Sequence, residues 1–213
     1  SSLNLNLILK TSPQNTARRE QYLTHEIFGR ETQFYREIYP MFKKFQVEKG
    51  IDVDGGEGFN QVPNFYKSLD EEPFEGLIFD DLSTSGYVMH DRFKDLSKAH
   101  VILVMKALAK MHATFFCIKD QQPELIKEYT KIKDFLINIF KMENSSNLVW
   151  LKEQNEQAMN ALKNCTNQDL IDRVHKVLKA DSIQQFEECL SGVKAEPFAV
   201  LCHGDVRTTN FPN

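Results

Sequence analysis

Cys202-His203-Gly204-Asp205-Val206-Arg207-Thr208-Thr209-Asn210 is the stretch that decides the fold. It follows a short apolar run, Phe198-Ala199-Val200-Leu201, which the pattern predicts to be a buried strand. An acid placed by a strand end and an amide five residues later have a mechanical rationale. Phosphoryl transfer needs a carboxylate to accept or orient the proton of the attacking hydroxyl. It also needs an oxygen ligand for the metal that neutralises the phosphates. Asp205 suits the first task and Asn210 the second. Taken alone, the same residues also fit an Asx turn and a loop amide.

Working outward, the start of the chain supplies a second feature. Residues 3–10, Leu-Asn-Leu-Asn-Leu-Ile-Leu-Lys, alternate and then turn apolar, which predicts a strand entering a core and closed by Lys10. The segment from about Arg18 to Tyr39 carries Ile27, Phe28, Phe34, Tyr35, Ile38 and Tyr39 at helical spacing, with Pro40 predicted to end it. Glu31 lies inside that apolar stripe. A carboxylate there calls for a cationic partner, and Lys10 is the candidate.

Val62–Lys67 and Gly76–Asp81 read as two strands around Asp70-Glu71-Glu72-Pro73, so a hairpin joins the first strand and helix in a small sheet-plus-helix unit. Asp52-Val-Asp-Gly-Gly-Glu-Gly58 reads as a surface turn, since no helix follows to cradle phosphate. From Ser97 to Phe116, Val101, Val104, Met105, Leu108, Met111 and Phe115 keep a 3.6-residue period, with Ser97 placed to cap. The period recurs through residues 125–140, 150–162 and 170–177, so the later half is helical. His112 sits among apolar neighbours and reads as a satisfied core histidine rather than a zinc ligand with Cys117.

Composition narrows the class. The 213 residues include 41% hydrophobic and 26% charged side chains, with 16 Phe and only 9 Gly and 7 Pro, enough for a packed core and unlike a disordered polymer. A formal charge of -4 supplies no field for a polyanionic backbone, so nucleic acid is not expected as a partner. The 4 cysteines stand far apart without a disulfide framework, which points to a reducing, cytoplasmic setting. No apolar run is expected to approach the roughly 20 residues of a bilayer span, because His100 and Lys106 bound residues 101–105. No membrane partner is therefore expected. Both ends look cut, so the chain reads as a fragment.

With these blocks in hand, H-G-D-x-x-x-x-N resembles the catalytic loop of the aminoglycoside phosphotransferase and choline kinase group, relatives of the protein kinases. Four further stretches narrow the likeness to the ecdysteroid kinase-like family of insects. Leu7-Ile-Leu-Lys10 is similar to the strand with the ATP-binding lysine, and Phe28-Gly-Arg-Glu31-Thr-Gln-Phe34-Tyr35 to the helix with its partner glutamate. Gly76-Leu-Ile-Phe-Asp80-Asp81-Leu82-Ser resembles the hinge strand, and Leu108-Ala-Lys-Met-His112-Ala the helix after it.

The resemblance implies an α+β, bilobal protein-kinase-like fold. Residues 1–82 would form a β-sheet-plus-helix nucleotide lobe, lacking its first strands and glycine-rich loop. Residues 83–213 would form a mainly helical lobe with the catalytic loop, ending before a D-F-G-like segment. It implies ATP and Mg²⁺, with Lys10 and Glu31 positioning phosphates and the backbone of Asp80, Asp81 and Leu82 holding adenine. Asn210 would bind the metal and Asp205 would act as base. Arg207, where the family commonly has another residue, would steady the transferred phosphoryl charge. His203 is expected to support the loop by hydrogen bonding. The implied acceptor is a small-molecule alcohol, a steroid hydroxyl leading. A non-catalytic kinase-like binding protein is the rival reading, and a protein kinase a more distant one.

Overall fold

A computed structural model describes residues 5–91, 93–132, 135–142, 145–179 and 182–206. Its first element is β1 (Leu7–Thr11), followed by helices α1 (Thr16–Gln21) and α2 (Thr24–Gln33), a π-helical turn at Phe34–Ile38, and α3 (Tyr39–Glu48). Strands β2 (Phe65–Leu69) and β3 (Gly76–Asp80) come next, and a short 3₁₀ turn, Leu82–Ser85, leads towards α4 (Lys98–Gln121). The remainder is α5 (Phe135–Lys141), α6 (Ser146–Ala161), α7 (Gln168–Lys179), α8 (Ser182–Cys189) and α9 (Gly192–Ala195). A small antiparallel sheet and a mainly helical remainder make this the α+β kinase-like class.

The sheet has the order β1-β3-β2, with β3 in the middle. Register places Ile8 opposite Phe79 and Lys10 opposite Leu77, so these four share one face. Phe28 of α2 packs with Leu77 and Phe79 on that face, flanked by Tyr35 and Phe65. The Tyr35 ring lies 4.7 Å from Phe79 and 5.6 Å from Phe65. α2 is thus held over the sheet by aromatic burial, which brings Glu31 towards β1. β1 itself does not enter the core as its pattern suggested. All five of its residues are exposed, because it is an edge strand paired on one side only.

Two further expectations about the first helix are corrected. The segment breaks at Leu23, whose φ of 48° is left-handed, so two helices stand where one was expected. Pro40 does not end the run. The Tyr39 N–H bonds back to the Phe34 carbonyl five residues earlier, and that widened turn makes room for a proline ring that an α-helical turn would exclude. Helical structure therefore continues to Glu48.

The largest apolar cluster joins α3 to α4 across residue 82. Ile38, Phe42, Phe45, Phe59, Met111, Phe115, Ile118 and Ile126 are buried in it. At its heart Gln46, only 2% exposed, donates to the Phe42 and Phe59 carbonyls and accepts the Phe59 N–H at 2.6 Å. A Cβ at Gly58 would stand 2.5 Å from the Gln46 side-chain oxygen, so glycine is what lets the loop close on it. Residues 52–58 form the expected turn, with Asp52 Oδ1 accepting the Gly55 N–H and Lys110 donating to the Gly56 carbonyl.

α4 starts where Ser97 caps it, its hydroxyl accepting the His100 N–H at 3.3 Å. Met111, Thr114, Phe115 and Ile118 are buried, whereas Val101 and Met105 nearer its start are exposed. This 24-residue helix holds an 18-residue stretch with a mean hydropathy of 1.7, long and apolar enough to cross a membrane by length and composition. The expectation that no stretch approaches that length is corrected: Lys106 and Lys110 are isolated charges in an otherwise apolar run. His112 lies partly buried as expected, but its Nε2 has no hydrogen-bond partner among the described residues, so it is a core histidine that is not satisfied. The four cysteines are free thiols.

A buried ion pair ties the start of the central strand β3 to the helices. Arg19 of α1 makes a two-point contact with Glu75, at 2.7 and 2.9 Å, and both are buried. Those hydrogen bonds from Arg19, aided by His25 and Ser12, hold the Glu75 carboxyl well below the usual carboxylate range against the opposing effect of burial. A depressed folded-state pKa stabilises above the unfolded value of about 4.3 and loses that contribution as pH falls from there towards the folded value. Acidification from pH 5 to 3 is therefore expected to lower the urea midpoint of the wild type more steeply than that of Glu75→Gln. Parallel falls would show that this carboxylate carries no acid dependence.

Candidate functional site

Lys10 and Glu31 meet. Lys10 Nζ stands 2.6 Å from Glu31 Oε2 and 5.7 Å from the centre of the Phe28 ring. The pairing follows from local structure: Lys10 ends the α2-facing row of β1, and Glu31 lies one helical turn beyond Phe28, which anchors α2 to the same face. Contrary to the buried pair that the apolar stripe suggested, it is open to solvent, with side chains 50% and 25% exposed. Such a pair contributes about 0–1 kcal/mol to stability. Beside it, burial first and the Glu31 carboxylate second push the Tyr35 phenol above its ordinary range, so it stays protonated at neutral pH.

Asp80 and Asp81 close β3. The Asp80 carboxylate accepts the Asn64 N–H at 2.7 Å and its amide at 3.1 Å, while Asp81 Oδ1 caps the following 3₁₀ turn through the Ser83 N–H. Their own N–H groups donate to the Asn64 and Asn6 carbonyls. Both acids are thus engaged in shaping the strand exit, and Leu82 begins the turn that follows.

The segment leading to Asp205 is not a strand. Among the described residues no sheet partner pairs with residues 198–202; instead Lys119 of α4 donates to the Pro197 and Ala199 carbonyls at 2.8 and 3.0 Å and pairs with Glu196 at 2.6 Å. A helix lysine takes the place that a neighbouring strand's amides would have filled. Val200 and Leu201 then pack against the α3–α4 cluster, which Phe34 also borders, three residues from Glu31. Gly204 has φ +81°, a left-handed turn that L side chains disfavour. Beyond it Asp205 is exposed, and its N–H donates to His203 Nδ1 at 3.2 Å, the loop-supporting role expected of that histidine. Arg207 and Asn210 lie outside the described residues.

Among the described residues no three His, Cys, Asp or Glu side chains form a cation cluster. The side-chain amide oxygen of an asparagine, the residue type expected at position 210 to bind the metal, is nonetheless a hard donor of the kind magnesium takes. A surface groove lined by Asn155, Glu156, Met159, Asn160 and Leu178 shares none of these residues.

The family model described as the ecdysteroid kinase-like family matches residues 1–211. The chain belongs to the ecdysteroid kinase-like family. No curated protein and no solved structure matched the chain. Membership in the family implies a kinase-like phosphotransferase acting on small molecules.

Sequence reading missed the Arg19–Glu75 pair and the Gln46 lock. Neither has a local signature: Arg19 and Glu75 are 56 residues apart, and Gln46 accepts from a loop 13 residues on.

Proposed function

We propose that this member of the family is an ATP-dependent kinase that phosphorylates a hydroxyl of a small molecule, with an ecdysteroid-like steroid alcohol as the leading acceptor. The observation that carries the reading is the Lys10–Glu31 pair: a lysine on a sheet strand braced by a helix glutamate, in a chain matched by the family from end to end of the described region. The Phe-rich composition is compatible with an apolar acceptor.

In this reading residues 1–82 form the nucleotide-binding lobe and 83–213 the helical lobe. Lys10, aimed by Glu31, neutralises and positions phosphate oxygens. Asp80, Asp81 and Leu82 form the hinge that meets adenine, the two acids shaping the turn that presents the Leu82 backbone. ATP supplies the transferable phosphoryl group, and magnesium, held by Asn210, would screen its charge. Asp205 takes the proton of the acceptor hydroxyl as that oxygen bonds to phosphorus and the bond to ADP breaks. Arg207 steadies the negative charge in transit. The cytoplasm, where ATP is plentiful, is the proposed location.

Transfer from γ-labelled ATP to a panel of sterols, amino alcohols and aminoglycosides tests the proposal with the full-length protein. Label is expected on a steroid alcohol, and Lys10→Met is expected to lower kcat/KM for ATP by about 10²-fold, the loss typical of one removed charge-stabilising donor. ATP binding without transfer to any alcohol would favour a non-catalytic binding protein instead.

A further inference from the structure

We propose that Arg19 and Glu75 form a clamp that sets where α2 lies over the sheet, making Arg19 a positioning residue for the Lys10–Glu31 pair. The inference deepens the nucleotide-site reading above and rests on it. Its starting point is a contrast of environments. The Lys10–Glu31 pair is solvent-exposed, so its mutual attraction is too weak to hold its own geometry. Rigid elements must do so.

Both elements hang from one carboxylate. Glu75, 2% exposed, immediately precedes β3, and its backbone carbonyl accepts the Ser12 N–H at 2.9 Å, just after β1 ends. Leu77, two residues further along β3, faces Lys10 across the strands. On the helical side Arg19, 8% exposed, grips both Glu75 oxygens and also donates to the Pro13 and Pro73 carbonyls. Glu72 adds a contact from the loop at 3.4 Å. His25, in the first turn of α2, stands 2.9 Å from the same carboxylate. From His25 to Glu31 is six residues of continuous helix, about 9 Å at 1.5 Å per residue. Lysine and glutamate thus approach each other along β1 and α2 from a shared buried anchor. Since a charge left buried without its partner cannot remain in place unchanged, losing Arg19 forces Glu75 and the elements around it to rearrange.

The experiment measures two quantities on the full-length protein: ATP affinity, and amide hydrogen exchange over residues 24–33. Arg19→Met is expected to speed exchange across α2 and to weaken ATP binding about tenfold, the scale of a small misplacement of a positioning group. Arg19→Lys, which keeps the charge but loses the fork, should fall between, and Ile126→Val, a core change away from the clamp, should leave ATP affinity unchanged. In a Lys10→Met background Arg19→Met should weaken ATP no further. Faster α2 exchange with wild-type ATP affinity, while Lys10→Met still weakens binding, would overturn the positioning role and leave a purely structural pair. Unchanged exchange in both Arg19 variants would overturn the clamp itself. Should Lys10→Met leave ATP affinity intact, the site reading fails and Arg19's role in it fails too, while the exchange data still show whether the clamp holds the helix.

Discussion

Asp205→Asn is expected to lower kcat for transfer to the alcohol by about 10³-fold while leaving ATP affinity unchanged, a loss within the range of a removed general base. The substitution is nearly isosteric and keeps an oxygen acceptor, so it removes the basic carboxylate and little else. The backbone that presents the residue should survive it. Gly204 makes the left-handed turn, the Asp205 N–H rests on His203 Nδ1, and Lys119 pins the approach through the Pro197 and Ala199 carbonyls. None of these contacts uses the Asp205 carboxylate. Single-turnover mixing separates the chemical step from binding and release. A variant that transfers phosphate at the wild-type rate would remove Asp205 from the chemistry, and with it the reading of residues 202–210 as a catalytic loop.

What could be read from the sequence divides along a physical line. Glu31 stood out because a charge inside an apolar stripe calls for a nearby cation, and Lys10, at the end of the predicted strand, is the one it meets, although the pair lies open to solvent. Local signals of this kind survive in one dimension. Ser97 as a cap and residues 52–58 as a turn are legible for the same reason: the chemistry that makes them is contained within a few residues.

The failures all involve a partner that periodicity does not reveal. Residues 198–202 look like a strand, but whether an extended segment joins a sheet depends on what satisfies its carbonyls, and here Lys119 does so from some 80 residues away. Pro40 looks like a stop until the widened turn before it is seen. Glu75 carries no local signal at all, yet it is among the most buried side chains described, because Arg19, 56 residues away in sequence, meets it. β1 fails in the opposite sense. Its apolar run promised burial, and its place at the sheet edge leaves Leu7, Ile8 and Leu9 exposed.

The second large effect is expected at Phe42, and it bears on how the two parts of the chain act together. Phe42 has no exposed surface, and its ring lies 6.3 Å from Phe59 and 6.4 Å from Phe115. It therefore touches, from α3, both the 51–62 loop and α4. Truncation to alanine should cost about 3–5 kcal/mol, the range for removing a fully buried aromatic side chain. Against a total stability of about 5–15 kcal/mol, that is a large share. For a chain of this size it corresponds to a fall in Tm of about 10 °C. Because the cluster also receives Val200 and Leu201, the same truncation loosens the seat of the Asp205 segment. Folded Phe42→Ala protein at low temperature should then lose kcat more than ATP affinity, whereas Lys10→Met loses both. Calorimetry and transfer assays on the same preparation check the two halves. A Tm within about 2 °C of wild type would mean the site collapses around the missing ring at little cost, and that α3 and α4 are joined by the Gln46 hydrogen bonds rather than by this aromatic contact.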